Sequence, residues 1–239
     1  MLQHLITQDA DLRMVPVDHT QLTTAVNELR DELRSLPDGA DPARTRLVSR
    51  WIGIGQVSLG DPHGALPFLR QSLGLAAAAD NTPAVLATIL NLGDAHRYAG
   101  EPETADALYR RALDTARREQ PELTDFALQH YGKHLMEQGD LPRARDYLRE
   151  ALRLRIAKGD TGLIESTQAA LDRVEILLTD ASAADSGAPG LTEVEAKAVE
   201  WAMSAWRRRF AAALRAAAPM ASAPGRSRCC ARCPARWRG

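Results

Sequence analysis

Six residues of this chain recur in register three times. Gly93, Gly100, Ala105, Tyr109, Ala112 and Leu113 reappear 39 residues later as Gly132, Gly139, Ala144, Leu148, Ala151 and Leu152. They also appear 40 residues earlier as Gly53, Gly60, Ala65, Leu69, Ser72 and Leu73. A fixed period of this length marks a repeat array, in which each unit buries its apolar face against its neighbours.

The punctuation between these residues predicts the elements. Gly60-Asp61-Pro62, Gly100-Glu101-Pro102 and Gly139-Asp140-Leu141-Pro142 each combine a helix stop with a helix start. Glycine takes the left-handed conformation that closes one helix. Asp61 and Asp140 can cap the next, Glu101 only poorly, and proline is tolerated in a first turn where its missing N–H is not needed. Second boundaries fall at Asp41-Pro42, Thr82-Pro83 and Gln120-Pro121. The spacing thus predicts helices over 42–59, 62–79, 83–99, 102–119, 121–138 and 142–158, each about 26 Å long at 1.5 Å per residue. The fold class is all-α, an array of helix pairs with full repeats at about 42–80, 83–119 and 121–158.

Gly53, Gly93 and Gly132 fall inside the first helix of each pair, where glycine costs up to ~1 kcal/mol against alanine. The expectation is that they face Ala65, Ala105 and Ala144 and let the two helices approach closely. Leu69, Tyr109 and Leu148 are expected to form the stripe that meets the next pair. A half repeat at 21–36 precedes the array, because Ala25, Leu29 and Leu33 sit one period before Ala65, Leu69 and Leu73. A capping helix at 161–179 follows, having lost both glycines; arrays need such a cover for the last apolar face. Residues 1–19, with Leu12, Met14, Val15 and Val17 around Pro16, do not read as helical and stay unplaced.

The order of Leu-Gly, a second glycine seven residues on, alanine, an aromatic or leucine, and alanine resembles the tetratricopeptide repeat. The longer spacing and Asn91-Leu92-Gly93 are similar to the roughly 40-residue repeats of kinesin light chains. The resemblance covers residues 42–158, with Ser49, Ile89 and Leu128 in place of the signature tryptophan. It implies a right-handed α-solenoid whose first helices line a concave, peptide-binding groove. In that register the groove positions of the first repeat include Arg50, Ile54 and Val57. Those of the second include Asn91, Asp94, Arg97 and Tyr98, and those of the third Gln129, His130, Lys133, Met136 and Glu137. Asn91 matches the asparagine that holds the backbone of an extended peptide in related repeats. Arg50, Arg97 and Lys133 are candidates to hold acidic groups. The family's carboxylate clamp is not reproduced, since Ile54 stands at its first asparagine.

The rest of the sequence sets limits. The three cysteines, Cys229, Cys230 and Cys233, crowd into the last eleven residues, so no disulfide can staple the array, and a cytoplasmic setting is expected. No stretch approaches the ~18 apolar residues of a membrane span, and residues 1–20 lack the pattern of a secretory signal. Residues 181–190 read as a small-residue linker. A capping box at Thr192 and Glu195 opens an amphipathic helix over 191–217, with Val194, Ala198, Trp201 and Ala205 on one face. Residues 218–239 read as a disordered basic tail. From Trp201 onward there are nine arginines and no acidic residue, against a balance of −10 in the remainder.

His130 and His134 have one-turn spacing but no third ligand nearby, so no metal site is expected. No nucleophile–base–acid set or phosphate-binding loop is present, so neither catalysis nor a cofactor is expected. The leading expectation is an adaptor that binds a peptide or helix of a partner protein. Alternatives are a regulatory or sensor module of a bacterial signalling or transcription system and, more weakly, nucleic-acid binding through the arginine tail.

Overall fold

The computed structural model describes residues 2–37 and 41–185. Among them are eight α-helices: α1 (His19–Ser35), α2 (Pro42–Ser58), α3 (Pro62–Ala78), α4 (Thr82–Tyr98), α5 (Pro102–Glu119), α6 (Thr124–Glu137), α7 (Leu141–Lys158) and α8 (Thr161–Asp185). Consecutive helices pack on one another, and α2, α4, α6 and α8 also touch in series. This is a right-handed α-solenoid: α2/α3, α4/α5 and α6/α7 are the pairs, flanked by α1 and α8. No helix among the described residues is long and apolar enough to cross a membrane.

The turn chemistry acts locally. Gly60, Gly100 and Gly139 have φ of +83°, +76° and +79°. Asp61 caps α3 by accepting from the Gly64 N–H at 2.9 Å, and Asp140 caps α7 by accepting from Arg143 at 3.3 Å. Glu101 makes no capping bond to α5; its carboxylate instead meets His96 Nδ1 at 2.5 Å. At the third boundary Pro121–Leu123 form a short 3-10 helix, and α6 starts only at Thr124.

The mid-helix glycines do admit a neighbour, and the nearest is a large side chain rather than the expected alanine, although the Ala144 carbonyl also comes within 3.4 Å of a Cβ on Gly132. A Cβ on Gly53, Gly93 or Gly132 would stand 2.5, 2.6 or 2.9 Å from the side chain of Leu69, Tyr109 or Leu148. Each gap is filled by the large residue one turn beyond the alanine, because helical side chains lean back toward the N-terminus. Ala65, Ala105 and Ala144 are fully buried beside these plugs.

Two further corrections concern the flanks. Residues 181–185, expected as linker, continue α8 to Asp185. The remaining linker residues, the 191–217 helix and the 218–239 tail lie outside the described residues. Residues 1–19, expected to be non-helical, contain a 3-10 helix (Leu2–Leu5) and two strands, β1 (Ile6–Gln8) and β2 (Met14–Pro16), before α1 begins at His19. The strands pair antiparallel, Thr7 opposite Val15. Leu12, in the turn between them, has φ +62° and is buried in the core cluster that contains Leu90 and Met136.

Candidate functional site: a charged seam on the first helices

The anticipated groove residues lie on α2, α4 and α6, at successive positions of the same repeat register. Arg50, Tyr98, His130 and Glu137 are partly exposed, whereas Ile54, Val57, Asn91, Asp94, Arg97, Gln129, Lys133 and Met136 are buried. Polar groups therefore fill a face that the repeat pattern alone would suggest is open.

They are connected. Arg50 donates from Nε to Asn91 Oδ1 at 2.7 Å, tying α2 to α4. The Asp94 carboxylate accepts from Tyr109 Oη at 2.7 Å and lies 3.0 Å from His130 Nδ1. Arg97 reaches Asp94 at 3.7 Å and Glu137 at 3.9 Å, so its ion pairs are long, and its Nε and Nη1 have no hydrogen-bond partner. Its guanidinium sits 4.9 Å from the centre of the Tyr98 ring. Gln129 is drawn away from the seam and bonds Ser166 and Thr167 of α8.

The electrostatics follow from burial among charges. Burial works to raise the Asp94 pKa, but His130, Arg97 and the Tyr109 hydroxyl overcome it and hold the carboxyl at about 2. Burial, reinforced by the neighbouring Arg97, pushes the Lys133 ammonium down to about 8. Lys133 makes no ion pair among the described residues. Burial raises the Tyr109 phenol well above its ordinary value, so it remains a hydrogen-bond donor to Asp94.

No group of His, Cys, Asp and Glu among the described residues is placed to hold a metal ion. His130 is turned to Asp94, while His134 is buried 5.3 Å from the Tyr109 ring.

Three features escaped the sequence reading. First, Arg13 donates from Nε and Nη2 to the two oxygens of Glu137, at 3.1 and 3.0 Å, across 124 residues of chain. Second, the Met14 N–H donates to Tyr98 Oη at 2.6 Å, so β2 lies on the seam. Third, Arg155 on α7 is almost wholly buried, pairs with Asp125 at 2.8 Å and bonds Thr167 at 2.6 Å, locking α6, α7 and α8 together. Lys158 also reaches the Asp125 carboxylate. On the other side of the array, an open cleft of about 650 Å³ is lined by Val85 and Ile89 of α4 and by Arg110, Arg111 and Asp114 of α5.

Residues 48–118 match the family model of the tetratricopeptide repeat. No curated protein sequence matches the chain significantly. Solved structures do. BtubC (BKLC) from P. vanneervenii is 20% identical with a TM-score of 0.53, over 77% of this chain and 75% of that one. A signal-transduction ATPase with numerous domains and a tetratricopeptide repeat sensor, from Pyrococcus horikoshii, is 17% identical with a TM-score of 0.52, over 66% of this chain but only 24% of its own length. The nearly identical TPR-like repeats of a kinesin light chain from Podosopora anserina are 16% identical with a TM-score of 0.50, over 82% and 88% of the two chains. At these identities the likeness is one of fold, and it is the fold that the repeat spacing, left-handed glycines and glycine plugs build. Residues 48–118 of this chain are tetratricopeptide repeats.

Proposed function

We propose that the chain is an adaptor that captures an extended segment of a partner protein on the seam formed by α2, α4 and α6. Repeats of this family serve protein–protein interaction, and a solenoid presents such a face along its whole length. The observation that carries the reading is that extended polypeptide already lies there: β2 gives the Met14 backbone N–H to Tyr98, and Arg13, just before it, gives its side chain to Glu137. Arg50 and Asn91 extend the same face by one repeat. In this reading the chain performs no catalytic step, needs no cofactor and works in the cytoplasm.

The test is affinity capture with the full chain. Arg50→Ala with Asn91→Ala removes polar groups from the seam, and Arg110→Ala with Arg111→Ala alters the cleft on the opposite side. Loss of one or two hydrogen bonds, one charge-assisted, costs about 1–3 kcal/mol, or roughly ten- to a hundredfold in affinity. Capture should fail for the seam variant and persist for the cleft variant, with helix content unchanged in both. The reverse outcome would move the binding surface to the cleft.

The Pyrococcus horikoshii ATPase favours a second reading, in which the array is a sensor module of a larger signalling system. Recovery of an ATPase among the captured proteins would distinguish it from a general adaptor.

A further inference from the structure

Residues 2–17 are seated along the first helices. Leu5 and Ile6 pack on the cluster formed by Val48, Ile52 and their neighbours, and Met14 packs on the cluster that holds Val57 and Ala95. The turn that delivers Arg13 is built in advance: Asp9 Oδ1 accepts from the N–H groups of Asp11 and Arg13, both at 2.9 Å. At its tip Leu12 holds a left-handed conformation that leucine rarely adopts, a strain sustained by the burial of its side chain. Asp11 then stands 3.7 Å from Arg173 on α8.

The seam's own charges explain why a cation arrives at this point. Asp94 is already engaged by Tyr109, His130 and Arg97. Glu137 has only the long contact to Arg97 from within the seam, so its carboxylate is the one open to an incoming donor. Arg13 fills that role with the paired geometry a guanidinium makes best, and its charge also lies 5.1 Å from the Tyr98 ring centre. Yet the Arg13 side chain is 41% exposed, and a two-stranded hairpin is marginal by itself. The occupant is held well enough to be ordered and weakly enough to leave.

We propose that residues 9–17 are a resident occupant of the seam, and that a partner displaces them with a segment of the same chemistry: an extended stretch carrying an arginine between two aliphatic side chains. This rests on the adaptor reading and specifies its partner. The seam selects a basic segment at Glu137, where the residue register alone suggested acidic groups held by Arg97 and Lys133.

The experiment uses a fluorescently labelled peptide of residues 9–17 and the full chain. Arg13→Ala and, separately, Met14→Pro loosen the resident segment, the first by removing the guanidinium and the second by removing the N–H given to Tyr98. Each should bind the peptide at least tenfold more tightly than the parent, with helix content unchanged. Adding Glu137→Gln to either variant should reverse that gain, and a peptide with glutamate in place of its arginine should not bind. Equal affinity for parent and both loosened chains, no binding to any of them, or indifference to Glu137→Gln would overturn the proposal. Capture from a lysate with the same proteins separates the two ideas. If loosened chains gain partners that the Arg50 and Asn91 substitutions remove, while the peptide fails, the adaptor reading stands and the resident-segment chemistry falls. If the peptide behaves as expected and no partner depends on the seam, the reverse holds.

Discussion

Gly93 and Tyr109 meet so closely that a Cβ on the glycine would stand 2.6 Å from the tyrosine ring. The ring is fully buried, and its hydroxyl is committed to Asp94, so it has little freedom to yield. Gly93→Leu should therefore force α4 and α5 apart and cost at least the ~1–3 kcal/mol of an overpacked core. Thermal unfolding measures this directly. A variant as stable as the parent would show that the pair can open without loss.

Arg155 and Asp125 test a different kind of contact. Both side chains are almost wholly out of water, so removing one partner strands the other. Asp125→Ala should destabilise by about 3–5 kcal/mol in urea unfolding. Replacing both, as Asp125→Leu with Arg155→Met, should recover much of that loss, because the desolvation of both charges disappears together.

Lys133 should be a liability to stability. Its folded pKa, pushed down to about 8, lies below the ordinary lysine value of 10.5. Below pH 8 both folded and unfolded chains hold the proton, and the burial penalty is present in full. Between pH 8 and 10.5 only the unfolded chain still holds it, so rising pH favours the folded state, and above 10.5 the penalty is gone. Lys133→Met should stabilise the protein near neutrality by an amount on the order of 3 kcal/mol. That advantage should shrink as the pH rises from 8 to 10.5. Denaturant midpoints of both proteins across that window check the sign. Asp94 runs the other way: its contribution is present above pH ~4 and is lost as the pH falls toward 2.

The helix caps give a smaller effect. Asp61 accepts the Gly64 N–H at the start of α3, so Asp61→Ala should cost about 1 kcal/mol. Glu101 has no such bond, and Glu101→Ala should leave the start of α5 as well capped as before. Denaturant midpoints of the two variants, each against the parent, check the contrast.

The array was legible because its signals are local. Gly60, Gly100 and Gly139 sit at positive φ, and Asp61 and Asp140 cap, each within a few residues of sequence. The glycine contacts were misassigned by one turn because spacing alone does not say which way a side chain leans. Arg155 carried a signal that went unused: it follows Leu148 and Ala151 at helical spacing, so it places a charge on an apolar stripe. The seating of residues 2–17 left no trace of that kind. Its decisive contact joins Arg13 to Glu137, and neither residue has a neighbour in sequence that betrays the other.

That long reach also sets an order of events during synthesis. Arg13 is made 124 residues before the carboxylate it will grip. At about 5–20 residues per second, the ribosome needs roughly 6–25 seconds to close that gap. Over that interval α2 and α4 can fold with the seam uncovered, while Arg13 and β2 wait beside an unfinished dock. A segment made well before its dock is among the last to settle, and a partner present at the ribosome meets the face before its resident does.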